Sequence, residues 1–169
     1  EQGVEFYDDV ERFLHPTAEL LHDPWGMKGI PEAVNRIEKA IQNKERIIVF
    51  GDFDSDGVTS TVILVRAIQK LGGLVSYRIP SREKDSHGLK KYFLDDLKEK
   101  GVSLVITCDC GINDYEEVQH GVDLGMDIIV TDHHQSDVER YPKAALAVVN
   151  PLQAECEYPD KHMSGAGIA

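Results

Sequence analysis

Apolar positions change their period several times along the chain. Phe6, Val10, Phe13 and Leu14 follow helical spacing, and His15-Pro16 closes that turn. Residues 15–30 carry Pro16, Pro24, Gly26 and Gly29 and form an irregular lead-in. Pro31 marks a helix start, and Ile30, Val34, Ile37 and Ile41 line one face of that helix. Five short β-rich runs follow: IIVF (47–50), LVSYRI (74–79), VSLVIT (102–107), DIIVT (127–131) and ALAVV (145–149). Helical patterns separate them at about 58–71, 89–100 and 114–124, stopped by Gly72-Gly73, Gly101 and Gly125. Asp114, Glu116 and Glu117 in the third of these suit the positive end of a helix dipole. The last link, 132–144, is too irregular for a helix. Strands alternating with helices predict an α/β fold: a doubly wound, mostly parallel five-stranded sheet with helices on both faces.

In such folds ligands bind beyond the carboxyl ends of the strands. Asp52, Asp54 and Asp56 follow the first strand. Ser81 and Arg82 follow the second, with His87 nearby. Asp109 follows the third, between Cys108 and Cys110. Asp132, His133 and His134 follow the fourth, and Asn150-Pro151 the fifth. Five strands therefore deliver polar or metal-binding groups to one rim.

Three like charges within VFGDFDSDGVTS (49–60) repel one another unless a cation offsets them. Four or five carboxylates with one or two imidazoles suit hard or borderline divalent ions, chiefly Mn²⁺ or Mg²⁺. Such a set holds two ions ~3.5–4 Å apart, which activate water and stabilise charge on a phosphoryl group. Asp109, alone on the central strand, is placed to bridge them. DFDSDG also matches the start of an EF-hand loop, but Ile63 stands where that loop needs Glu, and a strand precedes it. A haloacid-dehalogenase-type phosphatase shares the Asp-x-Asp, but leaves Asp132-His133-His134 without a role. Asp56 with Gly57 fits a helix cap, which does not account for Asp52 and Asp54. Cys108 and Cys110 flank Asp109 on the strand and are expected to point together to the face opposite it, into packing.

Composition narrows the class further. The chain has 169 residues, opens on Glu1, and is 41% hydrophobic and 28% charged, as expected of one globular domain. No apolar run approaches the ~18 residues of a membrane span. Three cysteines form no disulfide framework, so a reducing cytoplasm is expected. The formal net charge of −12 has the wrong sign for gripping phosphate chains. Two divalent ions offset only about four of those charges.

With its motifs in order, the sequence resembles the DHH phosphoesterase superfamily, and within it the RecJ single-stranded-DNA exonucleases. FLHPTAELLHDPWGMKGIPEAVNRIEKAI resembles the lead-in, and IIVFGDFDSDGVTST the first motif. VITCDCGI and VTDHH resemble the next two, and VVNP with KHMSGAGIA the segment after them. IPSREKDSHGL stands where the family carries Arg and then Gly-Tyr-Gly-Leu, so His87 takes the place of an aromatic residue. The resemblance implies metal ligands at Asp54, Asp56, Asp109 and His133, with Asp52 a further ligand or support. Asp132 would orient the histidine pair. His134 and Arg82 would hold the scissile phosphate, with His87 beside them and His134 assisting the leaving oxygen. It implies a catalytic DHH domain over 31–169 after a lead-in over 1–30, acting 5′→3′ on single-stranded DNA in recombination and repair. It further implies that another ligand Asp, a DHHA1 domain and an OB-fold that grips DNA follow this segment. Short oligonucleotides, cyclic dinucleotides or pyrophosphate, or a non-catalytic replication scaffold, are the other roles open to such a domain.

Overall fold

Five strands pair in parallel in the order β2-β1-β3-β4-β5. They are β1 (Arg46–Gly51), β2 (Leu74–Arg78), β3 (Val102–Cys108), β4 (Asp127–Thr131) and β5 (Ala147–Val149). The structure is a computed structural model that describes residues 6–15 and 17–169. Pro16, expected to end the first helix, lies outside the described residues, as does Glu1.

Alternation along the strands sorts the core into two layers, because successive side chains point to opposite faces. Ile47, Val49, Leu104, Ile106 and Ile129 face one layer, which α2 (Ile30–Gln42) and α3 (Ser55–Lys70) cover. Ile48, Phe50, Val105, Ile128 and Val130 face the other, covered by α4 (Lys91–Glu99) and α5 (Tyr115–Asp123). The sheet is doubly wound, as the sequence predicts. On α2 the deepest residues are Ala33 and Ala40, with Ile30, Ile37 and Ile41 packed around them. Small side chains let that helix lie close to the sheet. Met27 is buried in the same layer, so the end of the lead-in packs with the sheet. The first helix, α1 (Tyr7–Leu14), turns Val10, Phe13 and Leu14 to the surface.

Several elements differ from expectation. α3 starts at Ser55 rather than 58, because Asp54 is the N-cap: its carboxylate accepts hydrogen bonds from the Asp56 and Gly57 amides. The capping role considered for Asp56 therefore belongs to Asp54. Gly57 permits the tight first turn, since a Cβ there would come within 2.5 Å of the Asp52 carbonyl oxygen. β5 is shortened to Ala147–Val149, because Ala145 closes a turn onto Pro142. As expected, no helix forms over 132–144.

Registry aligns the strand ends. Gly51 pairs with Cys108, Cys108 with Thr131, and Thr131 with Val149. The next residue in each case, Asp52, Asp109, Asp132 and Asn150, therefore stands on a common level. The strand order reverses between β1 and β3, so a crevice opens where their carboxyl ends part.

Candidate metal centre

Asp109 is where β3 stops behaving as a strand. Its φ is +60°, a left-handed conformation uncommon outside glycine, and its amide donates to the Thr131 carbonyl. That turn separates the flanking cysteines. Cys108 enters the α2–α3 layer and Cys110 the α4–α5 layer. Both pack, as expected, but on opposite faces of the sheet rather than the same one. Burial pushes the Cys108 thiol up to about 12, so it is inert as a nucleophile or ligand.

Two groups of side chains share Asp109. Asp52, Asp54 and Asp109 each offer an oxygen, all within 4.8 Å of one another. Asp109, His133 and His134 do the same with one oxygen and two ring nitrogens. Asp52 accepts the Phe53 amide on Oδ1 and meets His87 Nδ1 with Oδ2 at 2.9 Å. Asp54 spends Oδ1 on its helix cap, and the Gly57 amide is the main cause that holds its carboxyl below the usual range. Asp109 shows the opposite: burial first, then the charges of Asp56 and Asp54, push it up to about 7.

His133 donates from Nδ1 to the Met163 carbonyl at 3.0 Å. Nε2 is left facing carboxylates, 3.0 Å from Asp109 Oδ1 and 3.8 Å from Asp56 Oδ2. The Asp109 contact lacks hydrogen-bond geometry, and this oxygen is buried with no hydrogen-bond partner among the described residues. Gly165 approaches the same oxygen so closely that a Cβ would lie 2.8 Å from it. An orphaned buried oxygen, an imidazole nitrogen aimed at it and flanking carboxylates fit a divalent ion.

The other expected residues fall around this pair of groups. Asp132, 1% exposed, accepts from the His133 and His134 amides and His134 Nδ1 on one oxygen, and from the Ile112 amide on the other. Burial raises its carboxyl, but the His134 ring and these amides outweigh that and hold it low. The same hydrogen bond to Asp132 lifts His134 to about 9, against the effect of burial. Asp56 stands at the rim but outside both groups. Its oxygens accept the Gly165 and Ala166 amides, clasping the short helix α6 (Gly165–Ile168). His87 lines the cleft; Arg82 does not, and its Cζ stands 4.8 Å from the Phe53 ring, which also packs on His87. Asn150, fully buried, donates to the His134 carbonyl.

The cleft, about 400 Å³, is lined by all three aspartates of the first group, and by residues that sequence reasoning missed. Arg140 is one; it is the single basic residue between His134 and Pro142, which was the available signal. Asp114 is another. Expected only as a helix-start acid, it instead accepts the Leu89 amide across the cleft, and burial raises its carboxyl.

Known proteins share this arrangement's sequence and shape. The single-stranded-DNA-specific exonuclease RecJ of Bacillus subtilis (strain 168) is 40% identical over 168 residues, covering 99% of this chain and 21% of that protein. RecJ of Escherichia coli K12 is 39% identical over 170 residues, 99% of this chain and 28% of its own length. A crystal structure of exonuclease RecJ bound to manganese superposes with a TM-score of 0.77 at 35% identity, covering 90% of this chain and 37% of that one. RecJ from Thermus thermophilus in complex with Mn²⁺ gives 0.70 at 34% identity, covering 92% and 21%. The chain thus spans between a fifth and three tenths of these curated relatives' length. The family described as DHH family, N-terminal domain, matches residues 46–169. That match begins where β1 begins and takes in every strand end that carries a rim carboxylate or imidazole: the chain belongs to the DHH family.

Proposed function

We propose that this chain is the metal-binding part of a phosphodiesterase that removes nucleotides from single-stranded DNA, working from the 5′ end. The observation that carries this reading is Asp109 shared between two ligand groups, as a two-ion centre requires. Asp52, Asp54 and Asp109 would hold one Mn²⁺ or Mg²⁺, and Asp109 with His133 the other. Asp56 closes the α3 side and fixes the chain over 164–166. When bound, the ions lower the pKa of water and neutralise charge growing on the phosphoryl oxygens.

The chain's own residues do the rest. His134, held protonated by Asp132, can donate to a phosphate oxygen or give its proton to the leaving oxygen. Arg140 and His87 on the cleft wall, with Arg82 stacked on the Phe53 ring that also packs against His87, supply basic groups for a phosphate in a chain that is otherwise acidic. Cys108, Cys110 and Cys156 are free and buried, consistent with work in a reducing cytoplasm. No described helix is long and apolar enough to cross a membrane.

The gene product that carries this chain, assayed with Mn²⁺ on 5′-labelled single strands, should lose at least about a thousandfold of its activity on Asp109→Ala. Retained cleavage would remove the shared-ligand assignment. A net charge of −12 and a cleft of about 400 Å³ favour a second reading, a substrate of one or two nucleotides. Faster turnover of dinucleotides than of long single strands would select it.

A further inference from the structure

Phe53 stands between two carboxylates of the metal centre and belongs to neither hydrophobic layer. A half-buried phenylalanine there gains little from the core. Its ring instead faces the β2–α4 loop. The His87 ring lies against it with centroids 4.3 Å apart and planes at 47°, and the Arg82 guanidinium is 4.8 Å from its centroid. Both partners are exposed, so without a backing surface each would sample many rotamers.

The loop is fastened from several directions. His87 Nδ1 meets Asp52 Oδ2 at 2.9 Å, and the Leu89 amide donates to Asp114 at 2.8 Å. Asp85 accepts from the Ser81 amide and the Tyr92 hydroxyl, which closes the loop on itself. Over 78–91 there are five basic residues and two acidic ones, a local charge of +3 in a chain of −12. This positive stretch is thus held over a negative centre, and the Phe53 ring joins the two.

Resting on the function proposed above, we propose that Phe53 is a positioning residue for the nucleic-acid substrate. Its ring holds the Arg82 guanidinium and the His87 imidazole as one unit beside the cleft that His87 lines, so that they meet the phosphates and base next to the bond being cut. An aliphatic side chain of similar size fills the same space but lacks the ring face that holds a cation.

The test uses the gene product that carries this chain. Phe53→Leu should raise KM for a single-stranded oligonucleotide about tenfold and leave kcat within about threefold, the size of one partly desolvated cation–π contact. Mn²⁺ affinity should stay within about twofold, amide exchange over 81–89 should quicken, and Phe53→Tyr should restore the wild-type KM. Arg82→Lys keeps the charge but not the flat stacking group, and should raise KM about fivefold with little further loss when joined to Phe53→Leu. That variant also decides the matter if Phe53→Leu does not fold. An unchanged KM in either variant, or Mn²⁺ affinity falling in step with KM, overturns the inference while the function stands. A wild-type protein that neither binds nor cuts single strands overturns the function, and this inference with it.

Discussion

At the amino ends of the strands, Arg36 lies between Glu45 and Asp127, with contacts of 2.5 and 2.6 Å. At the carboxyl ends, Asp52, Asp54, Asp56 and Asp109 gather with no lysine or arginine in ion-pair range among the described residues; histidines alone stand near them, His87 and His133 in ion-pair range and His134 close to Asp109. The same chain thus neutralises two acids with a guanidinium at one end of its sheet and leaves four acids crowded at the other. Burial works against Glu45 at the first end, but the hydrogen bonds from Arg36 and Asn43 and the Arg36 charge together outweigh it and the carboxyl stays low. Burial and like charge together drive Asp109 upward at the second. One end is built for stability, and the other holds repulsion that a bound cation would relieve.

Arg36→Gln breaks the comparison most severely. It strips two acids of their partner, and the fold should lose about 3 kcal/mol, or ~9 °C in Tm by calorimetry. The next effect is pH dependence. Asp109 binds a proton in the folded state up to about 7 but in the unfolded chain only to about 4, so the metal-free fold loses stability as pH rises between those values. His134 contributes stability fully below about 6.5 and loses it as pH climbs through about 9. Thermal melts of metal-free protein should therefore fall steadily from pH 5 to 9. Mn²⁺ binding should strengthen up to about pH 7, because it requires the Asp109 proton to leave.

Asp109→Asn sharpens the contrast at smaller amplitude. Above about pH 7 it removes one repelling charge, and asparagine tolerates the left-handed backbone, so the metal-free fold should there gain about 1 kcal/mol. The pH slope below 7 should shrink with it. Smallest is Asp54→Asn: asparagine caps a helix as well as aspartate, so Tm should move by less than ~0.5 kcal/mol equivalent while Mn²⁺ affinity drops at least about tenfold. A large loss of stability there would mean that Asp54 serves the helix alone.

Much of this was legible in the residues. DIIVT became β4 without change, and all five runs paired in one parallel sheet. The periods of 2 and 3.6 are local properties, so a sequence displays them. The rim was legible too, because residues that follow strands share an edge whenever the strands are parallel. What escaped notice is set by contacts far apart in the chain. Asp56 meets the Gly165 and Ala166 amides across more than a hundred residues, and His87 meets Asp52 across thirty-five. Cys108 and Cys110 parted because Asp109 left the strand, a single dihedral that no pattern encodes. Arg140 reached the cleft along an irregular link with no period to read.

The central claim is that the crowded end of the sheet binds divalent cations through Asp109. Calorimetric titration of metal-free protein with Mn²⁺ tests it most directly. Two ions should bind saturably per chain, with proton release below pH 7, and a hundredfold excess over Kd should add about 2.7 kcal/mol of stability. Asp109→Asn should abolish the binding. A wild-type chain that takes up no Mn²⁺, or an Asp109→Asn chain that binds it as tightly as wild type, would contradict the account.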